Sequence, residues 1–550
     1  MSFIQLPHPT QRLKTIEERG GRIVIIDPRR TESAKKLGKH HFIRPSTDVF
    51  FMMGFLNELI RQGGVDGDRI SKHMKHYEDL KEISNPWTAE RVAEVTGIAA
   101  ADLKELVTNY IDADGATIYS STGVNQGGNG VLTFWLQECI NAISGNLDRR
   151  GGSIVGLGIA DLPGLGAKNK MAMGTERSRV GDLPSAVDSF PAAIMADEIL
   201  TPGPNQVRAL IVAAGNPLLT VPNGTHLAEA LEDLELLVCT DIQRSETTEY
   251  ADYILPGTTF LQRPDLPFLF HSMMGMQPTP FVQYTDPVLE PDGEQRDELW
   301  MFAQLCRASG SPMFGSRIFQ SALNLGYALG RLPFLKNWLT PAQERILGLV
   351  TLFTGQGTLR KLRKFPHGKL IAPQEPGNFL GQRVLTEDGK VDLAPADFLE
   401  LANRLDGLFE QELAQAHRLK LISKRERYTH NSWTHNIERM VKGDRNTNYI
   451  YMHPNDAEQR SLSNGDLAEV ETKTAVITLP VRITEDMMPG AVAVPHGWGH
   501  QQAEGLNIAK KNAGANVNLL AADGPESVEP ISGMAHLTGF IVDVRAAENN

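Results

Sequence analysis

Two apolar runs more than two hundred residues apart lead into the same polar pattern. Residues 22–26 precede the block 27–33, and residues 236–240 precede the block 241–247, so that Asp, Arg, Ser/Thr, Glu and Ser/Thr recur at identical spacing. Apolar runs of this kind predict buried parallel strands. An acidic residue just past the carboxyl end of such a strand lies where open α/β sheets bind nucleotides. The repeat therefore predicts two nucleotide sites, for one ligand with two nucleotide ends or for two ligands.

The second repeat also contains a glycine turn. Gly215 follows the apolar run 209–214 and lies 26 residues before Asp241. Glycine lets backbone amides approach a phosphate closely. The same count back from Asp27 reaches Met1. We therefore expect the chain to begin inside a domain; the alternative is a chance similarity and a natural start.

Between the repeats, the pattern predicts a strand at 116–120, a glycine-rich loop at 122–130 and a helix at 131–143. The loop has four glycines and three amide side chains, and it fits neither G-x-G-x-x-G nor G-x-x-x-x-G-K-[ST]. Neither an ordinary dinucleotide fold nor a P-loop is therefore indicated. Earlier in the chain, Asp48 and Thr88 each precede a helical segment and could cap it.

The last third of the chain changes character. Short apolar runs at 449–453, 467–471 and 475–483, separated by Asn-Gly and Pro-Gly turn signals, predict a compact β-barrel. Residues 151–205 are rich in Gly, Pro and Met and predict long functional loops. The basic run at 360–364 is predicted to be a solvated face.

Composition narrows the function. At 550 residues the chain is long enough for about three to four domains. The net charge of −12 argues against a nucleic-acid partner, which needs a basic face. Three scattered cysteines without C-x-x-C argue against a cysteine-ligated cluster or zinc in this chain and suit a reducing compartment. The absence of a signal peptide and of a membrane segment predicts a cytoplasmic protein, although a targeting signal could be lost with a missing start.

Eight motifs follow one another along the chain. They are I-D-P-R-R-T-E at 26–32, G-V-N-Q at 123–126, A-G-N-P at 214–217, T-E-Y-A-D-Y-I-L-P at 248–256, H-N-S-W-T-H-N at 430–436, H-P-N-D-A at 453–457 with N-G-D at 464–466, P-H-G-W-G-H at 495–500, and N-V-N-L-L-A-A-D at 516–523. Together and in this order they resemble the molybdopterin oxidoreductases of the dimethyl sulfoxide reductase type.

The resemblance implies an α/β fold with two Rossmann-like parallel-sheet domains followed by a six-stranded, double-psi-type β-barrel. The expected domains are a first molybdopterin-binding domain at 1–155, incomplete at its start, a second at 156–340, a helical linker region at 341–420 and a dinucleotide-binding barrel at 421–550. The implied cofactor is a pair of molybdopterin guanine dinucleotides around one molybdenum or tungsten, which agrees with the two nucleotide sites.

The resemblance also implies which residues contact this cofactor. Asp27 or Asp48 would serve one guanine and Asp241 the other, while the loops around Gly123, Gly215 and His430 would approach the pterins and phosphates. The full set is Asp27, Arg29, Asp48, Gly123, Asn125, Gln126, Gly215, Asn216, Asp241, Thr247, Asp252, His430, Asn431, Ser432, Trp433, Thr434, His496 and Asn518. Each also has a purely structural interpretation, since an Asp can cap a turn and a His can be a hydrogen-bonded surface residue.

The chain departs from the family at its front. Members carry an N-terminal region, often with cysteine ligands for a [4Fe–4S] cluster, followed by a Cys, selenocysteine, Ser or Asp that binds the metal. Here I-D-P-R-R begins at residue 26, and none of Cys139, Cys239 and Cys306 lies at the ligand's place. The sequence therefore assigns no metal ligand and no catalytic residue, and it implies an iron–sulfur cluster only if such a front region exists.

The leading hypothesis is a molybdopterin-dependent oxidoreductase, here as a truncated or split chain. Its partners would be a small-molecule substrate, an electron-transfer protein and a separate iron–sulfur subunit or missing N-terminal domain. One alternative keeps the cofactor but not the catalysis, as a binding or scaffold subunit. A nicotinamide dehydrogenase is the third hypothesis, and the absence of G-x-G-x-x-G argues against it.

Overall fold

The architecture was analysed in a computed structural model that describes residues 8–168, 174, 176–186, 189–266, 280–335 and 343–548. The α-helices are α1 (Pro9–Glu18), α2 (Asp48–Arg61), α3 (Gly67–His73), α4 (Tyr77–Ser84), α5 (Ala89–Thr96), α6 (Ala100–Asp112), α7 (Thr122–Asn125), α8 (Gly130–Ile143), α9 (Leu162–Lys168), α10 (Met195–Leu200), α11 (Pro217–Thr220), α12 (Gly224–Asp233), α13 (Glu298–Ser309), α14 (Arg317–Leu329), α15 (Gln343–Phe353), α16 (Leu359–Leu362), α17 (Ala396–Ala402), α18 (Leu405–Ala414) and α19 (Pro454–Glu458).

The strands fall into small sheets and one barrel. They are β1 (Val24–Ile26), β2 (Lys39–His41), β3 (Met74–Lys75), β4 (Ala209–Ala213), β5 (Leu236–Asp241), β6 (Tyr253–Pro256), β7 (Phe281–Val282), β8 (Lys369–Leu370), β9 (Val391–Asp392), β10 (Leu419–Lys424), β11 (Ile450–Met452), β12 (Leu467–Glu471), β13 (Val476–Ile483), β14 (Ala491–Pro495) and β15 (Phe540–Ala546). No helix among the described residues is long and apolar enough to cross a membrane.

Helix α2 forms the centre of the first α/β unit. It is apolar on nearly all sides and therefore lies buried between neighbouring helices rather than on the surface. Gly54 allows α5 to come close, since a Cβ at that position would lie 2.6 Å from a methyl carbon of Val92. As predicted, Thr88 caps α5 by accepting a hydrogen bond from the Arg91 amide. Asp48, by contrast, is the first residue of α2 and does not cap it.

The same core recruits a segment from far along the chain. Leu393 and Phe409, which lie in the region that the sequence predicts as a linker, are buried in the same core as α2. The Phe409 ring lies 5.6 Å from that of Phe50 and 5.7 Å from that of Trp87, both edge-on. Residues 379–413 therefore complete the first unit.

The predicted strand at 116–120 is not a strand. This segment is extended but joins no sheet, because buried amide side chains take the place of a neighbouring strand. The Asn141 side chain accepts from the Ile118 amide at 3.1 Å and donates to the Ile118 carbonyl at 3.2 Å. The Asn146 side chain accepts from the Ala116 amide. The prediction failed because the partners come from α8 and the loop after it, which strand propensity does not reveal.

The second α/β unit is a three-stranded parallel sheet in the order β4-β5-β6. The central strand β5 is buried as predicted, whereas β4 is not: its residues alternate between half-buried and exposed. Strand β4 lies at the edge, and its inward residues Leu210 and Val212 pack against the core beneath the sheet. Strand β1, which pairs in parallel with β2, is also less buried than predicted.

The C-terminal unit is a closed barrel with strand order β10-β14-β11-β13-β12-β15. It confirms the compact barrel predicted from the short apolar runs and the six strands that the resemblance implies. Closure leaves no unpaired sheet edge. The turn between β13 and β14 holds the first α/β unit, because the Arg30 amide donates to the Asp486 carbonyl at 2.7 Å and the Met488 amide donates to the Pro28 carbonyl at 2.9 Å.

We expect the substitution Phe409→Ala to destabilise the first unit by about 3–5 kcal/mol, because it empties a buried aromatic position. Urea unfolding, followed by tryptophan fluorescence and circular dichroism, would measure the change. The matched control is Leu385→Ala, an exposed leucine in the same segment, which should shift the midpoint little. Equal effects of the two substitutions would contradict the assignment of Phe409 to this core.

Candidate cofactor site

The second acidic turn lies at the carboxyl edge of the β4-β5-β6 sheet. Asp241 ends β5, and one of its carboxylate oxygens accepts from the Ile242 amide at 2.6 Å and the Gln243 amide at 3.2 Å. Burial raises the pKa of Asp241. Gly215 and Asn216 follow the neighbouring strand β4, so that the acid and the glycine turn share one edge. Among the described residues, no acceptor pairs with the backbone amides of these two residues, which leaves them available for an anion.

The side chain of Asn216 holds the two turns together. Its oxygen accepts from the Thr247 hydroxyl at 2.7 Å and from the Thr247 amide at 3.3 Å, and its nitrogen donates to Glu246 at 2.6 Å. Thr247 is fully buried. The side chains of these two predicted cofactor residues are therefore occupied within the protein, and Asn216 offers a ligand its backbone amide only.

Three buried ionisable residues link this edge to the barrel. Glu246 lies 2.9 Å from Nδ1 of His500, and Nε2 of His500 lies 2.9 Å from Nδ1 of His435. The His435 ring packs on Trp498 with centroids 4.2 Å apart. Burial lowers the pKa of His435 to about 3, so the ring is neutral at ordinary pH. We call Glu246, His500 and His435 the buried triad.

The sequence prediction missed the buried triad. His500 ends one of the quoted motifs, His435 is the last residue but one of another, and Glu246 is one of the positions that recur in the two polar blocks. That recurrence was a usable signal for Glu246. The pairing of Glu246 with His500, however, joins positions 254 residues apart and needs the three-dimensional structure.

The first acidic turn has the same local form as the second. One carboxylate oxygen of Asp27 accepts from the Arg29 amide at 2.8 Å, and burial raises the Asp27 pKa. The Arg29 guanidinium binds both oxygens of Glu32 at 3.1 Å and lowers the Glu32 pKa to about 2. The charge of Arg29 is therefore neutralised by Glu32 within the protein.

Asp48 lies near Asp27 and forms a second candidate at this site. Burial, assisted by the negative charge of Asp27, raises the pKa of Asp48 to about 6. Lys420, a buried lysine of the barrel, is the nearby cation that favours the ionised form of Asp48. The structure thus brings together the two acids between which the sequence left the choice open.

The glycine-rich loop lies between the first unit and the barrel. Its first part is the short helix α7, which leaves Gly123 and Asn125 exposed. The Gln126 carbonyl accepts from the Leu537 amide at 3.0 Å and the Thr538 amide at 3.2 Å. The loop therefore bridges the two units while presenting its front to solvent.

Buried polar atoms beside this loop have no partner within the described residues. They are the Ser46 hydroxyl and Nε2 of His536. A Cβ at Gly127 would lie 3.0 Å from the Ser46 hydroxyl, and one at Gly539 would lie 1.7 Å from it. Buried polar groups are normally paired, so these atoms fit a site whose polar partner is a ligand.

The two barrel loops pack against each other. A Cβ at Gly497, where φ is +86°, would lie 2.4 Å from the Asn431 carbonyl oxygen, so only glycine fits there. His430, Asn431 and Trp433 are exposed, and the rings of His430 and Trp433 lie 5.9 Å apart. Ser432 and Thr434 are partly buried in the same loop.

His496 and Asn518 have different surroundings. Burial lowers the pKa of His496 to about 4, which keeps its ring neutral beside the loop. Asn518 donates to the carbonyls of Leu219 at 2.8 Å and Thr220 at 3.3 Å. Its side-chain nitrogen thus docks the barrel on α11.

Asp252 lies at the wrong end of the sheet for the predicted role. It precedes β6, and its carboxylate accepts from the Leu237 amide at 2.7 Å near the start of β5. Because β5 and β6 are parallel, the residue before β6 lies at the amino edge, opposite Asp241. The geometry therefore separates Asp252 from the other candidates.

Cys139 and Cys239 are poorly suited to be thiolate ligands. Burial raises the pKa of Cys139 far above its usual range and that of Cys239 to about 11. Within the described ranges, no group of three or more His, Cys, Asp or Glu side chains is arranged to hold a metal ion. The polar atoms and loops described above are instead suited to a large anionic ligand with several attachment points.

The depressed pKa of His435 predicts a pH-dependent stability. In the unfolded chain His435 takes up a proton below its ordinary pKa of 6.5. In the folded protein the His435 ring stays unprotonated until the pH reaches about 3. The free energy of unfolding should therefore fall with decreasing pH, by up to about 1.4 kcal/mol per pH unit for this group. In His435→Gln this part of the decline should disappear, as measured by urea unfolding at several pH values from 7.5 to 5.

His417→Gln, at an exposed histidine, is the matched control for this measurement. It should leave the decline unchanged. Parallel pH profiles for the wild type and His435→Gln would show that His435 is not the group that resists protonation.

Two family models match this chain, one over the α/β units and one over the barrel. The family model described as "Molybdopterin oxidoreductase" matches residues 9–308, and that described as "Molydopterin dinucleotide binding domain" matches residues 419–540. The second match contains most of the barrel. Both confirm the resemblance indicated by the eight motifs.

Individual relatives of the chain are also oxidoreductases by name. The Bacillus subtilis protein called "Probable oxidoreductase YyaE" is 26% identical over 70% of this chain and 52% of its own length. The F420-dependent formate dehydrogenase subunit alpha of Methanocaldococcus jannaschii is 24% identical over 90% of this chain and 70% of its own. The trimethylamine-N-oxide reductase of Haemophilus influenzae is 23% identical over 88% of this chain and 62% of its own. The chain thus spans between 52% and 70% of the length of these relatives.

A solved structure shares the fold. The acetylene hydratase from Pelobacter acetylenicus superimposes with a TM-score of 0.75 at 21% identity, over 98% of this chain and 75% of its own. The family match extends over more than half of the 550 residues and includes both acidic turns. This chain belongs to the molybdopterin oxidoreductase family.

Proposed function

We propose that the chain forms the cofactor-binding body of a molybdenum or tungsten oxidoreductase that holds two molybdopterin guanine dinucleotides. The observation that carries the proposal is the pair of acidic turns, at Asp27 and Asp241, each at the carboxyl end of a parallel strand and each joined to the same barrel. Two equivalent turns on one barrel suit a cofactor with two nucleotide ends.

The residues around each turn fit this cofactor in chemical terms. A carboxylate accepts two hydrogen bonds from the N1 and N2 edge of guanine, which adenine cannot supply. The unpaired amides of Gly215 and Asn216 suit a pyrophosphate. The unpaired hydroxyl of Ser46 and the Gln126 loop lie where the first unit meets the barrel, and they suit a pterin. The bound group would supply two-electron redox chemistry, and the chain would orient it.

The names of the relatives support the rest of the proposal. They include a formate dehydrogenase alpha subunit and a trimethylamine-N-oxide reductase. An alpha subunit has companions, which supports an electron-transfer partner protein, and both names indicate a small-molecule substrate. The cysteines within the described residues are free thiols, which supports a reducing compartment such as the cytoplasm.

The test is guanine selectivity at Asp241. We expect the full chain to bind GDP in preference to ADP, and Asp241→Asn to reduce GDP affinity by about 10–100-fold, since a charged acceptor of two hydrogen bonds is lost. Isothermal titration calorimetry with both nucleotides would measure this. The matched control is Asp252→Asn at the opposite end of the sheet, which should bind GDP as the wild type does. Loss of binding in the control alone would favour the sequence-based choice of Asp252 over the geometry.

GDP binding should also depend on pH. The Asp241 carboxylate must be ionised to accept from guanine, and burial raises its pKa. Affinity should therefore be full at neutral pH and fall as the pH decreases through this raised pKa. Calorimetry at several pH values would follow it, with Asp241→Asn as the reference. A pH dependence that persists in Asp241→Asn would assign it to another group.

The first turn requires a choice between Asp27 and Asp48. We expect Asp27→Asn to remove the second GDP equivalent, because Asp27 occupies the position that corresponds to Asp241. If Asp48 were the guanine ligand, its contribution would be lost near pH 6, where its carboxylate takes up a proton. Binding stoichiometry of each variant at pH 7.5 and at about pH 5.5 would separate the two.

A further inference from the structure

One stretch of this acidic chain is strongly basic. The described residues 313–335 and 343–370 contain eight Lys or Arg side chains and one acidic side chain, Glu344. Their net charge is +7 in a chain whose total is −12. We call these two ranges the basic segment. It contains the run 360–364 that the sequence alone predicts to be a solvated face.

Most of this positive charge is not neutralised locally. Arg363 binds Asp286 and Glu344 at 2.6 Å. Five other basic residues are exposed and form no ion pair with any described residue: Arg317, Arg331, Arg360, Lys361 and Lys364. Such charges attract an anionic surface within a Debye length of about 8 Å at physiological ionic strength.

The same segment carries the most exposed large apolar side chains of the described chain. Ile318 and Phe353 are each 85% exposed and Phe314 is 84% exposed. Ile318 and Leu325 are seven residues apart and lie on one stripe of α14, and Phe314 lies in the turn before this helix. The opposite face of α14 packs into its own small core through Leu323. The stripe therefore faces away from the protein.

The backbone conformation of Phe314 also indicates that its exposed position is a defined feature of the fold. Phe314 has a φ of +54°, a left-handed conformation that is unfavourable for a residue with a Cβ. It stands in the short turn between α13 and α14, directly before the stripe. Its ring lies 5.6 Å from that of Phe319, which packs on the small core.

We propose that the basic segment is a peripheral docking surface for an anionic lipid bilayer. Isolated aliphatic and aromatic side chains that project from helices enter the boundary between headgroups and acyl chains, while neighbouring Lys and Arg side chains bind the anionic headgroups. The acidic remainder of the chain is repelled by the same membrane, which orients the protein with this segment facing it. The proposal is independent of the cofactor.

An acidic protein partner would satisfy the charges but explains the apolar stripe less well. Protein interfaces concentrate aromatic and aliphatic anchors in a packed, fully desolvated centre and are depleted in lysine there. Here exposed apolar side chains and unpaired basic residues occur in the same segment of helices and turns, a combination that suits an in-plane membrane contact.

The test is sedimentation of the full chain with lipid vesicles. We expect the wild type to bind phosphatidylcholine vesicles that contain about 30% phosphatidylglycerol at least about tenfold more strongly than pure phosphatidylcholine vesicles. Raising the salt from about 50 mM to about 500 mM should release it. The substitution pair Ile318→Ser/Phe353→Ser and the triple substitution Arg360→Glu/Lys361→Glu/Lys364→Glu should each lower binding by about tenfold.

Two matched controls separate this surface from general charge and exposure. Lys14→Glu/Lys72→Glu/Lys473→Glu makes the same change in net charge at exposed lysines elsewhere, and Leu467→Ser removes an exposed leucine of the barrel. Both should bind as the wild type does. Circular dichroism and thermal melting of every variant would identify any that fails to fold, and only folded variants are compared.

A spectroscopic measurement does not depend on loss of binding. An environment-sensitive fluorophore attached at Phe353→Cys, in a Cys306→Ser background, should shift to the blue on anionic vesicles, whereas the same label at Leu467→Cys should not. Absence of wild-type binding to anionic vesicles, an equal loss in the lysine control, or a label at 353 that stays in water would each overturn the proposal. Capture of an acidic protein without vesicle binding would assign the surface to that class of partner instead.

Discussion

The arrangement of the site depends on one buried carboxylate. A charged group removed from water is costly unless its oxygens are paired, and those of Glu246 are divided between two directions. One oxygen accepts from Asn216 at 2.6 Å and the other lies 2.9 Å from His500. Through these two bonds the turn after β4, the turn after β5 and the barrel loop become one unit. Removing the side chain of Asn216, Glu246 or His500 would leave a polar group of its partner unpaired.

The polar groups around the two acidic turns are of two kinds, those with a hydrogen-bond partner inside the protein and those without one. The side chains of Asn216, Thr247 and Asn518 have partners inside the protein, and they hold loops in position. The Ser46 hydroxyl and the amides of Gly215 and Asn216 have none among the described residues. A buried polar atom without a partner is costly, so the Ser46 hydroxyl at the first site and the two unpaired amides at the second are the atoms that remain for a ligand.

Much of this arrangement was predictable from sequence. The repeated polar block located both acidic turns, and the strand β5, the edge shared with Gly215 and the barrel all followed from local patterns. Asp252, which was included because it lies in one of the eight motifs, is at the opposite edge from Asp241, and a motif does not reveal the edge on which a residue lies. In a parallel sheet, the residue before a strand lies at the edge opposite the residue that ends its neighbour.

The failures at 116–120 and at the buried triad have a different cause. The first segment satisfies its backbone through Asn141 and Asn146, and Glu246 finds His500 from 254 residues away. In both cases the hydrogen-bond partner is a side chain that lies outside the local sequence segment. Propensity describes the segment alone and contains no information on such partners.

The burial of Phe409 against Phe50 and Trp87 has a consequence for synthesis. The first unit cannot close its core until more than 350 further residues have left the ribosome. At about 5–20 residues per second, the apolar helix α2 waits for tens of seconds while the second unit is made and folds. The second unit can therefore be complete before the first, although it is synthesised later, and the nascent first unit exposes apolar surface that a chaperone would protect.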